Sequence, residues 1–143
     1  KDLPLKYFAY SACFRREGGG YRKEERGMMR GHQFNKIEMF QFVKPEKSWE
    51  AFEEMKKNAE KLVGGLGLHF QLAKLAAADV SASMAKTIDI EVFIPSMNIY
   101  KEVSSISNAL DYQARRGNIK YRNAKINKND LQGRFKGFCS NST

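Results

Sequence analysis

A chain of 143 residues, 42% hydrophobic and 29% charged, is long enough to close one hydrophobic core and too apolar to be disordered. No apolar run approaches the roughly 20 residues of a membrane-spanning helix, and two cysteines, Cys13 and Cys139, are too few for a disulfide scaffold or a paired metal-ligand spacing. The net charge of +9 favours a polyanionic partner such as nucleic acid, and the sparse cysteines fit a reducing cytosol.

Residues 5–16 read as a first strand, with Tyr7, Phe8, Tyr10 and Phe14 supplying bulk that suits a pleated surface. The loop that follows, 17–29, is too charged to bury, carries Gly18, Gly19 and Gly20, and is expected to be mobile until something binds. A second strand runs over 30–43 and stops at Pro45. From Ser48 the period changes to that of a helix. Trp49, Phe52, Lys56, Ala59, Val63 and Leu66 fall on one stripe, Met55 and Leu62 widen it, and Gly64 and Gly65 end it. Ser48 is the expected N-cap, with Glu50 and Glu53 near the positive end of the dipole.

Residues 68–75 read as a strand, and 86–94 as the clearest strand of the second half. There Ile88, Ile90, Val92 and Ile94 make a core face, while Asp89, Glu91 and Phe93 face away. A strand over 100–106, a short turn or helical piece over 111–116, a basic loop over 120–133 and a last strand over 134–139 complete the chain. Several strands joined mostly by hairpins, with one long helix, predict an α+β domain built on an antiparallel sheet.

The pair of strands around the charged loop is where chemistry concentrates. Alternation sets Arg30, His32, Phe34, Lys36, Glu38 and Phe40 on one face of the second strand, with Cys13, Arg15 and Glu17 repeating the pattern upstream. A bare sheet needs no such row for stability. A nucleotide does: Arg for phosphate, an aromatic plane for a base, a carboxylate for an amine. Read alone, Arg15 and Glu17 suit a surface ion pair, Phe34 suits a core position, His32 a structural role, and the basic run Arg115, Arg116, Lys120, Arg122 and Lys125 a solvated face.

The stretch FRREGGGYRKEERGMMRGHQFNKIE resembles the second signature motif of class II aminoacyl-tRNA synthetases, and HQFNKIE is similar to the seryl-tRNA synthetase form of it. TIDIEVFIPS, YKEVSSISNALDYQARR and the closing NST follow the seryl pattern in order and at similar spacing, so the likeness runs along essentially the whole chain. It departs where Ile106 replaces the usual Cys and Ala78 the usual Gly. The resemblance implies the antiparallel α+β core of that class, ATP and Mg2+ as cofactors, L-serine and tRNA(Ser) as substrates, a cytoplasmic homodimer, and no membrane.

Residue by residue, it implies that Arg15 and Arg30 grip the ATP phosphates with Arg16 beside them, that Phe34 stacks on adenine, and that Glu17 faces the adenine or the 3′ side of the nucleotide. Gly31 allows close backbone approach. Glu102 and Ser105 hold Mg2+, flanked by Val103 and Ser104 in the ATP site; Glu38 binds the serine ammonium; Asn141 and Thr143 line the serine pocket. Arg22, Lys23 and Arg26 are expected to meet the tRNA acceptor end. By parity Glu102 and Ser105 lie on opposite strand faces, so both reach one metal only if the strand ends or bulges between them. Residues 1–143 are expected to be a single partial catalytic domain that lacks the tRNA-gripping arm and the first and third motifs, and to be inactive alone. Two other readings stand beside the ligase: a synthetase-derived paralogue acting as an RNA-binding or interaction protein, and an enzyme that loads amino acids onto a carrier protein.

Overall fold

The computed structural model describes residues 3–16, 31–121, 133–134 and 138–142. Strands β1 (Leu5–Phe14) and β2 (Gln33–Phe42) pair antiparallel from Leu5↔Phe42 to Phe14↔Gln33. After a tight turn at Pro45–Lys47 comes helix α1 (Ser48–Gly65), then β3 (Phe70–Lys74), β4 (Lys86–Ile94) and β5 (Ile99–Asn108), which form an antiparallel meander. A short helix α2 (Tyr112–Arg116) follows, then the two-residue pair β6 (Lys120–Tyr121) and β7 (Gly133–Arg134), and finally β8 (Phe138–Ser142). The main sheet has the order β1-β2-β8-β5-β4-β3.

One face of this sheet is covered. Helix α1 packs across β5, β8 and β4, and its Ala51, Phe52, Met55, Ala59 and Val63 close on Ile88, Ile90 and Val92 of β4 and Ile106 of β5. Phe52 and Ile90 are wholly excluded from water, and burying each such side chain contributes about 1.5–3 kcal/mol. Ile106 fills a core position, which accounts for an aliphatic residue where the seryl pattern has a small thiol. Among the described residues no helix is long and apolar enough to cross a membrane.

Three expectations are corrected. Ser48 is not the N-cap but the first helical residue, and its buried hydroxyl exchanges hydrogen bonds with the Asn108 side chain (3.1 and 2.7 Å). Trp49, Leu62 and Leu66 are exposed, while Phe52, Met55, Ala59 and Val63 of the expected stripe are buried, joined by Ala51. The last strand of the main sheet is 138–142 rather than 134–139, and it lies between β2 and β5.

Candidate functional site

The face opposite α1 is buried at Thr87, Asp89 and Ser107 and more open toward Glu102, and register fixes what stands on it. One row across the sheet is Ala9, Glu38, Ser142, Ser105, Asp89 and Ala73. Glu38 and Ser105 both neighbour the same strand, which sets them about 10 Å apart. One step along, Lys36 of β2 pairs with Ser11, and Glu102 of β5 pairs with Glu91, whose carboxylate accepts from Gln71 Nε2 at 2.8 Å. A further step brings Phe34, paired with Cys13, and at the other side of the sheet Tyr100, Phe93 and His69, where the His69 ring and the Tyr100 hydroxyl are 2.8 Å apart.

The placing of Glu102 depends on an irregularity. Ile90 pairs with Ser104 but Glu91 pairs with Glu102, so Val103 is an extra residue in β5. This β-bulge reverses the parity of everything before it. Glu102 and Ser105, three residues apart, therefore share the open face, as the metal-binding expectation required. Ser104 takes the other face, level with Ile90 and buried against the core, and Val103 projects into solvent from the bulge.

Arg15 follows directly on β1. Its backbone N–H donates to the His32 carbonyl at 2.8 Å, which extends the ladder by one step, and its guanidinium lies 4.1 Å from the centre of the Phe34 ring. Lys36 Nζ stands 5.8 Å from the same ring. An exposed contact of this kind contributes about 0.5–1 kcal/mol. Gly31 is required by the chain itself: a Cβ there would come 2.9 Å from the Gln33 carbonyl oxygen.

Electrostatics tie the two halves of the sheet together. The Glu102 carboxyl is pushed above its ordinary value, first by partial loss of water and then by the Asp89 carboxylate, with Glu91 adding and the cations Lys36 and Arg15 opposing. The Asp89 carboxyl is also raised, by burial first, with the Ser105 hydroxyl bond opposing and Glu91 adding. Residues from β2, β4 and β5, with Arg15 just beyond β1, thus act on one small area.

Of the residues expected at the site, Arg15, Phe34, Glu38, Glu102 and Ser105 are brought to one face, with Arg16 exposed next to it. In the ladder Asn141 is level with Met39 and Ile106, and Ser142 with Glu38 and Ser105. Glu17, Arg22, Lys23, Arg26, Arg30 and Thr143 lie outside the described residues. Sequence reading gave no role to Lys36 or Asp89. The outward position of Asp89 on β4 was visible, but its burial was not.

The model of the tRNA synthetase class II core domain (G, H, P, S and T) matches residues 1–131. The chain belongs to the class II tRNA synthetase core family. Within that family it is 69% identical over 127 residues to serine–tRNA ligase 2 of Clostridium acetobutylicum, covering 89% of this chain and 30% of that protein. It is 50% identical over 122 residues to serine–tRNA ligase of Thermotoga neapolitana, covering 85% and 29%. This class II core therefore spans less than a third of the length of these relatives. Among solved structures it is similar to seryl-tRNA synthetase from Pyrococcus horikoshii complexed with ATP, with a TM-score of 0.87 and 39% identity over 99% of this chain and 31% of that one. The cytoplasmic serine–tRNA ligase of Naegleria fowleri in complex with AMP gives a TM-score of 0.82 and 36% identity, covering 99% and 33%.

Proposed function

We propose that this class II core is the ATP-binding and serine-activating part of a serine–tRNA ligase, which forms seryl-adenylate and, in the complete protein, passes the seryl group to tRNA(Ser). The observation that carries this reading is the single open face on which Arg15, Phe34, Glu38, Glu102 and Ser105 assemble, two of them only because of the bulge at Val103. Similarity to ligases named for serine, one in complex with ATP and one with AMP, supports it.

In adenylate formation a carboxylate oxygen of serine attacks the α-phosphorus and pyrophosphate leaves. No protein nucleophile is needed; the demand is for in-line placement and for neutralising charge on phosphate. Arg15 and Arg30, with Arg16 beside them, meet the phosphates, where a guanidinium can offer two parallel N–H donors. Phe34 offers a plane for adenine and Glu17 a carboxylate near the base or the ribose. Gly31, whose lack of a Cβ the chain already needs, keeps the backbone low beside the nucleotide.

Glu38 pairs with the serine ammonium as a charge-assisted hydrogen bond. Thr143 offers the serine side chain a hydroxyl, and Asn141 lines the pocket with it. Arg22, Lys23 and Arg26 contact the acceptor end of tRNA, and the complete protein works as a homodimer.

A divalent cation suits the donor set. The Glu102 carboxylate and Ser105 hydroxyl are hard oxygen ligands on one face, and a buried Asp89 oxygen beside them has no hydrogen-bond partner. Among the described residues no three His, Cys, Asp or Glu side chains form a cage. Mg2+ fits that arrangement, because it takes one or two protein ligands and leaves the rest to water and phosphate. When bound, the ion supplies positive charge to the phosphate oxygens.

The test is serine-dependent exchange of pyrophosphate into ATP by the full-length protein, followed by charging of tRNA(Ser). Exchange with serine and not with alanine is the expected result. ATP binding without any amino-acid-dependent exchange would turn the reading to a non-catalytic paralogue, and exchange without tRNA charging to a carrier-protein ligase.

A further inference from the structure

Asp89 is out of keeping with its place. It stands mid-strand on the open face of β4, yet only 6% of it is exposed. Its charged neighbours on that face are carboxylates, Glu91 and Glu102. Removing a carboxylate from water costs free energy unless hydrogen bonds or a cation compensate. Asp89 has partial compensation: it is level with Ser105 in the ladder and accepts the Ser105 hydroxyl proton. Its Oδ1 is buried without a partner, so that bond is made to the other oxygen.

The direction of this hydrogen bond matters. A serine hydroxyl has one proton and two lone pairs. With the proton committed to Asp89, Ser105 Oγ presents only lone pairs elsewhere, which is the orientation a cation ligand requires. Glu102, brought to the same face by the bulge, supplies the charged oxygen of the pair. Groups that hold a metal ligand in its binding orientation act in this way on imidazole and carboxylate ligands in many sites, and their loss costs about 10–100-fold in metal affinity.

We propose that Asp89 is a positioning residue for the divalent-cation site, fixing the Ser105 hydroxyl with its lone pairs turned toward the ion that accompanies ATP. This inference rests on the reading of Glu102 and Ser105 as the cation's ligands. It concerns β4, which carries none of the residues that the sequence pattern assigns to the site.

The experiment uses the full-length protein and reads ATP binding by calorimetry at a series of MgCl2 concentrations, with metal-free AMP binding as the control. Asp89→Ala should raise the Mg2+ concentration needed for half-maximal ATP binding about 10–100-fold and leave AMP affinity unchanged. Asp89→Asn, which keeps a hydrogen-bond acceptor for Ser105, should recover most of that loss. Adding Asp89→Ala to Ser105→Ala should cost no more than Ser105→Ala alone, because the two act through one oxygen. An unchanged Mg2+ requirement in Asp89→Ala, or an equal loss for AMP, overturns the proposal. Should Asp89→Ala fail to fold, an unchanged Mg2+ requirement in Ser105→Ala overturns it equally, and a raised one supports it. Failure of the unsubstituted protein to bind ATP in a Mg2+-dependent way would instead sink the reading of the site itself.

Discussion

Replacing Phe34 by Ala removes the plane on which adenine is proposed to lie, and the structure allows the size of the effect to be worked out. Stacking of a base on an aromatic side chain contributes about 1–3 kcal/mol. Part of that is already spoken for, because the Arg15 guanidinium rests 4.1 Å from the ring centre and an adenine laid on that face takes its place. Giving up an exposed cation–π contact costs about 0.5–1 kcal/mol. The net contribution is then about 0.5–2 kcal/mol, so ATP affinity should fall roughly 2- to 30-fold. Phe34 lies on the face away from α1, so the fold should survive. Equilibrium binding of ATP and of pyrophosphate to the full-length variant separates base from phosphate: ATP should weaken by the stated factor, pyrophosphate not at all. Phe34→Tyr should behave like the unsubstituted protein. An unchanged ATP affinity in Phe34→Ala refutes the assignment, and an equal loss for pyrophosphate shows that Arg15 was displaced rather than the platform removed.

Deleting a residue from a central strand normally shifts every pairing beyond it, but Val103 has no partner across β4. Its deletion should therefore keep Glu102↔Glu91 and Ser104↔Ile90, and cost no more than an ordinary point substitution, about 0.5–3 kcal/mol, whereas deletion of Ile106 should abolish cooperative melting followed by circular dichroism. Burial raises the Asp89 carboxyl above its ordinary 3.8, so the folded chain holds that proton more tightly than the unfolded chain. Stability from this group is full below the unfolded value and is lost as pH rises through the folded one. Asp89→Asn should accordingly melt higher than the unsubstituted protein at pH 7 without Mg2+ or ATP, with the gap closing toward pH 4; a gap independent of pH contradicts the assignment. Asn108→Ala removes the hydrogen bonds its side chain shares with the buried Ser48 hydroxyl and the one its Oδ1 accepts from the Leu110 N–H at 2.9 Å, and should cost about 2–4 kcal/mol in urea unfolding, part of it recovered in the double variant with Ser48→Ala.

The parts of the fold that alternate strictly were legible in advance. β4 was read at 86–94, the bounds it has, because Ile88, Ile90 and Val92 form an unbroken period-2 core face. Helix α1 was legible from its stripe and its glycines, although Trp49 is bulky enough to look like core and is not. β8 was misjudged for a physical reason: FCSNS carries no alternation, and its place is set by partners about a hundred residues earlier in β2 and some thirty earlier in β5. At the site, residue types and motif order pointed to Arg15, Phe34, Glu38 and Ser105. Parity pointed Glu102 the wrong way, since a bulge leaves no mark in a single sequence beyond an unremarkable valine. The burial of Asp89 was equally hidden, because alternation marks which face it takes and not how far that face is covered.

The central position of β8 governs when the molecule can first work. The hairpin β1–β2 and the meander β3–β4–β5 are each local structures, but they touch one another in the sheet only through residues 138–142. Until that segment emerges from the ribosome, β2 and β5 each present an open edge, and open edges are prone to pair with the wrong partner. The platform at Phe34 and the carboxylates at Glu38 belong to one half, while Glu102 and Ser105 belong to the other. A nascent chain that has not yet reached residue 138 thus holds both halves of the proposed nucleotide site with no strand between them to set their spacing. Helix α1, which packs on β4 and β5 as well as β8, is the natural brace that shields the waiting edge of β5 during that interval.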